Sequence, residues 1–307
     1  MKKKALLTTL LLLILLSCSE NTDDSGDVSN PMNEEKAFVY NGNTKTIVEL
    51  DIVNGNEIEV SETFNVFDNS FFPAYLESEN LIVGIDSNFN SSTFTDEPRL
   101  VKVNLENGDV SFVSLEQSNN YGEIVVANNR VFAYSSSKNK LIEIDIIDGS
   151  ENNFSEEFQP FDDYFIPSYN SITNEIIGID TNFNSSTNQN EPQLIKIDLL
   201  NGNVSFLDLN DDSYGVVTVD NTNGNTYVYN GSINKLVQIN LENGSETVIS
   251  DTFNPFDNYF VPDFSISTKE VIGIDDENNV LLKINVENES ISTINLSNNE
   301  YGEILVK

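Results

Sequence analysis

The chain of 307 residues sets 50 Asp plus Glu against 15 Lys plus Arg, a net charge of −35, and has one Cys, no His and no Trp. Without histidine there is no Ser-His-Asp or Cys-His pair and no His-ligated zinc, and such acidity excludes nucleic acid, whose phosphates need basic patches. Only five alanines occur (Ala5, Ala37, Ala74, Ala127, Ala133) among plentiful Val, Ile, Phe, Tyr and Asn, a strand and turn composition.

The chain opens MKKKALLTTLLLLILLSC. Three lysines precede an apolar run from Ala5 to Leu16, about 18 Å of helix and too short for a bilayer core of about 30 Å. Residues 1–17 therefore read as a secretory signal peptide. Leu15-Leu16-Ser17-Cys18 resembles the bacterial lipobox, which implies that Cys18 is lipidated, becomes the mature N-terminus and anchors the protein in the membrane. The folded part then has no thiol and rests on packing alone. Loss of Lys2, Lys3 and Lys4 takes the charge to −38. Residues 18–36 lack apolar periodicity, carry six acids against one Lys, and read as a disordered acidic tether. Ser19 stands where an inner-membrane retention Asp would be. The acids after Cys18 resemble the surface-export tethers of Bacteroidetes-type lipoproteins, which implies an outer-membrane location in the cell envelope, facing the periplasm or the surface.

From Ala37 the chain repeats three times at about 93 residues. Phe67-Asp68-Asn69, Phe161-Asp162-Asp163 and Phe256-Asp257-Asn258 recur in register. So do Gly84-Ile85-Asp86, Gly178-Ile179-Asp180 and Gly273-Ile274-Asp275, and Tyr121-Gly122-Glu123, Tyr214-Gly215-Val216 and Tyr301-Gly302-Glu303. Each repeat contains two copies of an alternating strand, a turn and a strand, beginning with IVELDIVNG (Ile47–Gly55) and ending with LLKINVENE (Leu281–Glu289). The period of two marks strands, and Asn-Gly or Asp-Gly accepts the positive φ of a hairpin turn. The last copy has Asn288-Glu289 and should turn less cleanly.

Six units of about 45 residues with four strands each match β-propeller blades. In the second unit, strands A to D, from the channel outward, read Phe72–Leu76, Leu81–Asp86, Leu100–Leu105 and Val110–Leu115. The first unit begins at strand B, with Ala37-Phe38-Val39-Tyr40, and the chain ends on strand A, Tyr301 to Val306. The reading is an all-β, six-bladed propeller over 37–307, closed by the C-terminal strand pairing into blade 1, which removes exposed edges. It resembles the broad YVTN, NHL and PQQ-like propellers in repeat length and in the strand–N-G–strand element. Those folds host lactonases, gluconolactonase-like hydrolases, receptors and scaffolds, so the resemblance assigns no activity.

In a propeller the B–C and D–A loops open on one face, the A–B and C–D loops on the other. Alternate D–A loops carry F-x-x-F-D-x-x-F, at Phe64 to Phe71, Phe158 to Phe165 and Phe253 to Phe260. One reading is an acidic, aromatic channel mouth of Asp68, Asp162, Asp257, Glu123 and Glu303 with Tyr121, Tyr214 and Tyr301, suited to a cation, an amine or a sugar face. The other, which the repetition favours, is a staple between blades with the Asp capping its turn.

Two B–C loops are long and nearly identical, as binding loops would be. Asp86, Asn88, Asn90, Ser92 and Glu97 fall at positions 1, 3, 5, 7 and 12, and Asp180, Asn182, Asn184, Ser186 and Glu191 repeat the series. The spacing resembles an EF-hand loop, which implies weak Ca²⁺ binding, although Ser91 or Ser185 stands where that loop has Gly. The alternative is that the asparagines make Asx-turns.

These observations favour a membrane-anchored, non-enzymatic module that binds an unknown protein or glycan through its B–C/D–A face. A lactonase-like, metal-assisted hydrolase at the channel mouth and a scaffold in an outer-membrane complex are the alternatives.

Overall fold

The computed structural model describes residues 35–66, 71–90, 95–117, 119–160, 165–184, 189–210, 213–255, 260–275, 278–297 and 300–307. These form six four-stranded antiparallel sheets, each ordered A-B-C-D. Blade 1 takes strand A from the C-terminus, Leu305–Val306, and strands B to D from Ala37–Asn41, Thr46–Leu50 and Glu57–Glu59. The closing register pairs Ala37 with Val306 and Phe38 with Leu305, as the two ends of the repeat predicted. Blades 2 to 6 follow in chain order, with strand A starting at Ala74, Tyr121, Ser168, Thr218 and Pro262.

Strand B is buried on both faces, and its alternation decides which neighbour each side chain meets. In blade 1, Phe38 and Tyr40 pack with Ile82 and Val101 of blade 2. Val39 packs instead with Ile272 and Leu281 of blade 6. The core is thus a ring of six clusters between adjacent blades, and each fully buried aliphatic or aromatic residue in it contributes about 1.5–3 kcal/mol.

The C–D turns behave as Asn-Gly chemistry dictates. Gly55 has φ +75° and donates its N–H to Asp51 O at 2.8 Å, while Asn54 Oδ1 accepts from Asn56 N at 2.9 Å. The sixth turn keeps this geometry but places Glu289 at φ +63°, where a residue with a Cβ costs about 1–2 kcal/mol more than glycine.

On the A–B side, a polar bond joins each blade to the next. Lys307 Nζ reaches Asn80 Oδ1 (3.1 Å), Ser78 N reaches Asn129 Oδ1 (3.2 Å) and Asn128 Nδ2 reaches Asn174 Oδ1 (2.9 Å). Ser171 N donates to Asn221 Oδ1 at 2.8 Å and Lys269 Nζ to Thr222 Oγ1 at 3.1 Å. Between blades 6 and 1, where the chain ends leave no A–B turn in blade 1, Glu35 takes that role. Its carboxylate accepts from Ile266 N at 2.7 Å and Ser267 N at 3.1 Å. Lys36 and Lys307 exchange backbone bonds of 2.9 and 2.8 Å. The ring therefore begins at Glu35, so the last two residues assigned to the tether belong to the propeller. Cys18 lies outside the described residues.

Candidate functional site

The six A strands surround a cavity of about 310 Å³ on the channel axis. Glu123, Glu303 and Asp263 line it, with apolar neighbours such as Val125 and Leu305. Glu123 and Glu303 are the acids of the Y-G-E motif; the matching residue of the third copy is Val216. Asp263 went unmarked in the sequence because it has no acidic counterpart. Its register partner is Ile272, as Val83 is for Ala74 and Ile177 for Ser168, so Ala74 and Ser168 hold its level in blades 2 and 4. The Asp263 carboxylate crosses to the closing strand, accepting from Val306 N at 2.7 Å as well as from its own neighbour Phe264 N at 2.7 Å. Burial pushes its pKa up to about 6, against the lowering effect of those two N–H groups, and Glu35 adds a smaller upward push.

The first and last phenylalanines of the F-x-x-F-D-x-x-F loops form core between blades. Asp68, Asp162 and Asp257 lie outside the described residues, but the flanking phenylalanines are buried. Phe64 and Phe71 pack with Tyr40, Phe158 and Phe165 with Tyr134, and Phe253 and Phe260 with Tyr229. The three tyrosine hydroxyls donate to the carbonyls of Phe64, Phe158 and Phe253 at 2.9, 3.2 and 3.3 Å. The carbonyls of Phe71, Phe165 and Phe260 accept from Glu303, Glu123 and Val216 N, each at 3.1 Å. The motif is a staple that locks alternate blades to the strand that follows or closes them.

Tyr121, Tyr214 and Tyr301 do not offer their rings to the opening either. Their hydroxyls donate to Glu151, Glu246 and Glu57 on strand D of the same blade. Burial, and next the bond to Glu151, hold the Tyr121 hydroxyl above its ordinary pKa. Lys138 Nζ supports Glu151 at 2.5 Å, and Asn230 and Asn41 Nδ2 support Glu246 and Glu57 at 2.9 and 2.8 Å. The sequence held a signal for these glutamates. A Glu follows the Asn-Gly or Asp-Gly turn by two positions only in the blades that have Tyr-Gly.

The long B–C segments are hairpins, which corrects their reading as wrapping loops. Strands B and C of blade 2 run Leu81–Asn90 and Thr95–Asn104, and those of blade 4 run Glu175–Asn184 and Gln189–Asp198. In blade 6 the same strands stop at Asp275 and resume at Val280. The register sets Asn88 opposite Glu97 and Asn90 opposite Thr95, and likewise Asn182 opposite Glu191 and Asn184 opposite Gln189. Asp86 and Asp180 sit at the hairpin bases, only 3% and 6% exposed. Arg99 grips Asp86 at 2.9 Å through Nε and 2.7 Å through Nη2, and stacks 4.1 Å from the Phe112 ring. Ser92 and Ser186 are outside the described residues. Residues two apart on a strand, and residues directly opposed across a ladder, share a face. The backbone therefore sets positions 1, 3, 5 and 12 along one face of each hairpin, with about 13 Å of extended strand between positions 1 and 5 where a helix-flanked loop would wrap them around one centre. Among the described residues, no group of three or more Cys, Asp or Glu is placed to hold a metal. The site is thus two arms, each rising about 13 Å beyond Asp86 or Asp180, beside an acidic channel mouth.

No protein-family model and no curated protein sequence matches this chain. Solved structures do. The chain is similar to a structure from the nidogen/laminin complex (12% identity, TM-score 0.62, covering 89% of this chain and 98% of the other). It is similar to TolB of Acinetobacter baumannii (16%, TM-score 0.65, 89% of this chain and 66% of that longer one), and to a gluconolactonase of Xanthomonas campestris (11%, TM-score 0.53, 76% and 79%). At these identities the likeness establishes the fold alone, a β-propeller.

Proposed function

We propose that this propeller is a lipid-anchored cell-envelope module that binds a protein or glycan partner through its B–C/D–A face. The observation that carries the reading is the pair of extended hairpins on alternate blades 2 and 4, with the third position cut short in blade 6. Threefold internal symmetry predicts three arms or none. Two arms and a gap make an asymmetric cradle beside the channel, and the ring does not need them, since blade 6 closes with six-residue strands. Paired projections on a rigid scaffold are the usual form of a binding surface. Similarity in fold to a nidogen/laminin structure and to TolB is compatible with a protein partner but does not name one.

The lipid anchor is part of the same reading: residues 1–17 as signal peptide, Cys18 as the acylated residue and 19–34 as tether. A hydrolase would require a carboxylate cluster converging on the axis, and the hairpin asymmetry favours binding instead. Cys18→Ala tests the anchor. It should abolish incorporation of labelled palmitate and release the protein from the membrane fraction; an unlabelled yet membrane-bound variant would refute the anchor. Replacing 87–96 and 181–190 with two-residue turns tests the cradle. The shortened protein should keep its melting temperature and lose its partner in cells; retention of the partner would refute the assignment.

A further inference from the structure

We infer that the propeller stands on its membrane with the A–B/C–D side down, so that the paired hairpins face away from the bilayer; this rests on the proposed lipid anchor. The point of chain entry sets the orientation. Strand B of blade 1 runs from the A–B side to the B–C side, so the segment before Ala37 reaches the ring on the side opposite the hairpins. Four contacts fix it there. Glu35 is bonded to Ile266 N and Ser267 N in the A–B turn of blade 6, and Lys36 exchanges both backbone bonds with Lys307. The tether therefore pulls at the boundary of blades 6 and 1, on the A–B side, and cannot slide toward the hairpin side without breaking the ring closure.

Reach decides the rest. Sixteen residues, 19–34, separate Cys18 from Glu35, and a flexible linker of that length spans about 22 Å. A ten-residue strand rises about 33 Å, so turning the hairpins toward the bilayer asks the tether to climb more than its own coil length along the outside of the ring. A second, independent observation agrees. Large apolar side chains protrude from turns on the A–B/C–D side: Val53 (77% exposed), Ile147 (82%) and Leu200 (78%) at C–D turns, with Ile172 and Ile266 at A–B turns. The headgroup boundary of a bilayer accommodates isolated apolar tips. The net charge offers no electrostatic attraction to anionic lipid, so the anchor brings this face down and the tips meet the interface. The partner is then met from the aqueous side, as a soluble molecule or a structure on an opposing surface.

The test uses the full lipidated chain in phosphatidylethanolamine/phosphatidylglycerol vesicles containing a headgroup-labelled acceptor lipid. Acylation consumes Cys18, the only native thiol, so single cysteines can carry a donor dye. Glu106→Cys and Glu242→Cys place it at C–D turns, and Glu97→Cys and Glu191→Cys at the hairpins. Energy transfer at 106 and 242 should exceed that at 97 and 191 at least twofold. Equal or reversed transfer on protein whose Cys18 carries lipid by mass spectrometry overturns the orientation alone. A Cys18 without lipid overturns the anchor, and the orientation with it.

Discussion

The ring of Phe71 occupies the space that a side chain on Gly84 would need: a Cβ there would stand 2.4 Å from Phe71 Cε2. The relation recurs between Gly178 and Phe165 at 2.5 Å and between Gly273 and Phe260 at 2.3 Å. None of these glycines has positive φ, so the requirement is space and not backbone freedom. Two repeat markers, G-I-D and F-D-x-x-F, are the two halves of one contact. Gly84→Ala should cost about 1–3 kcal/mol through overpacking. Phe71→Leu in the same chain should recover part of it, because the shorter side chain yields. Thermal melts of the four proteins of this cycle check it; strict additivity would show that the two residues do not compete for the same space.

Ring closure depends on the last strand. Deleting Tyr301 to Lys307 removes the buried side chains of Tyr301, Ile304 and Leu305, the ladder to Ala37 and Phe38, and both bonds to Lys36. At about 1.5–3 kcal/mol per large side chain and about 1 per hydrogen bond, the loss approaches the whole stability of a typical domain, about 5–15 kcal/mol. The truncated chain should be unfolded or molten at room temperature by near-ultraviolet circular dichroism. A melt within a few degrees of the intact chain would contradict closure by this strand.

Asp263 should make stability depend on pH in an unusual direction. Its folded pKa, about 6, is raised from 3.8, so between those values the folded state binds more protons than the unfolded one. Its contribution is therefore fully present below about pH 4 and lost as pH rises through 6. That shift corresponds to at most about 3 kcal/mol, and to less because Asp263 is only half-buried. Asp263→Asn keeps an oxygen to accept from Val306 N and removes the titration. The difference in melting temperature between variant and parent should grow in the variant's favour from pH 4 to pH 7; a constant difference would contradict the role of Asp263.

Arg99 holds the base of the first hairpin. Arg99→Ala strips the buried Asp86 carboxylate of its cation, a change that costs about 3–5 kcal/mol in buried pairs and toward the lower end here because Arg99 is partly exposed. Arg99→Ala together with Asp86→Ala should be milder than Arg99→Ala alone. On the same account the hairpins are held by their own ladders, and 10 mM Ca²⁺ leaves the melt unchanged. A Ca²⁺-dependent stabilisation, about 2.7 kcal/mol at a hundred times the dissociation constant, that disappears in Asp86→Asn with Asp180→Asn would reinstate a cation site.

The blades and their closure were legible because period two is a local signal repeated in six blades and an Asn-Gly or Asp-Gly turn follows it in five of them. The contacts between motifs were not. Gly84 and Phe71 meet across a blade edge, and Tyr214 and Glu246 across three strands of a sheet, so each appears in the sequence as an isolated marker. The hairpin arms hid for another reason. Ser87 to Asn90 and Thr95 to Pro98 are polar on both faces apart from Phe89 and Pro98, so backbone pairing alone makes them strands and no hydrophobic alternation announces it. Asp263, the acid on the channel wall that accepts from the closing strand, breaks the repeat instead of following it.

The claim that the hairpin face is the binding surface is tested most directly by site-specific photo-crosslinking in living cells. A photoreactive amino acid is placed in turn at Glu97 and Glu191 on the hairpins and at Glu106 and Glu242 on the opposite turns. Discrete adducts should form from 97 and 191 and not from 106 and 242. Adducts confined to 106 and 242, or none from any hairpin position, would contradict it.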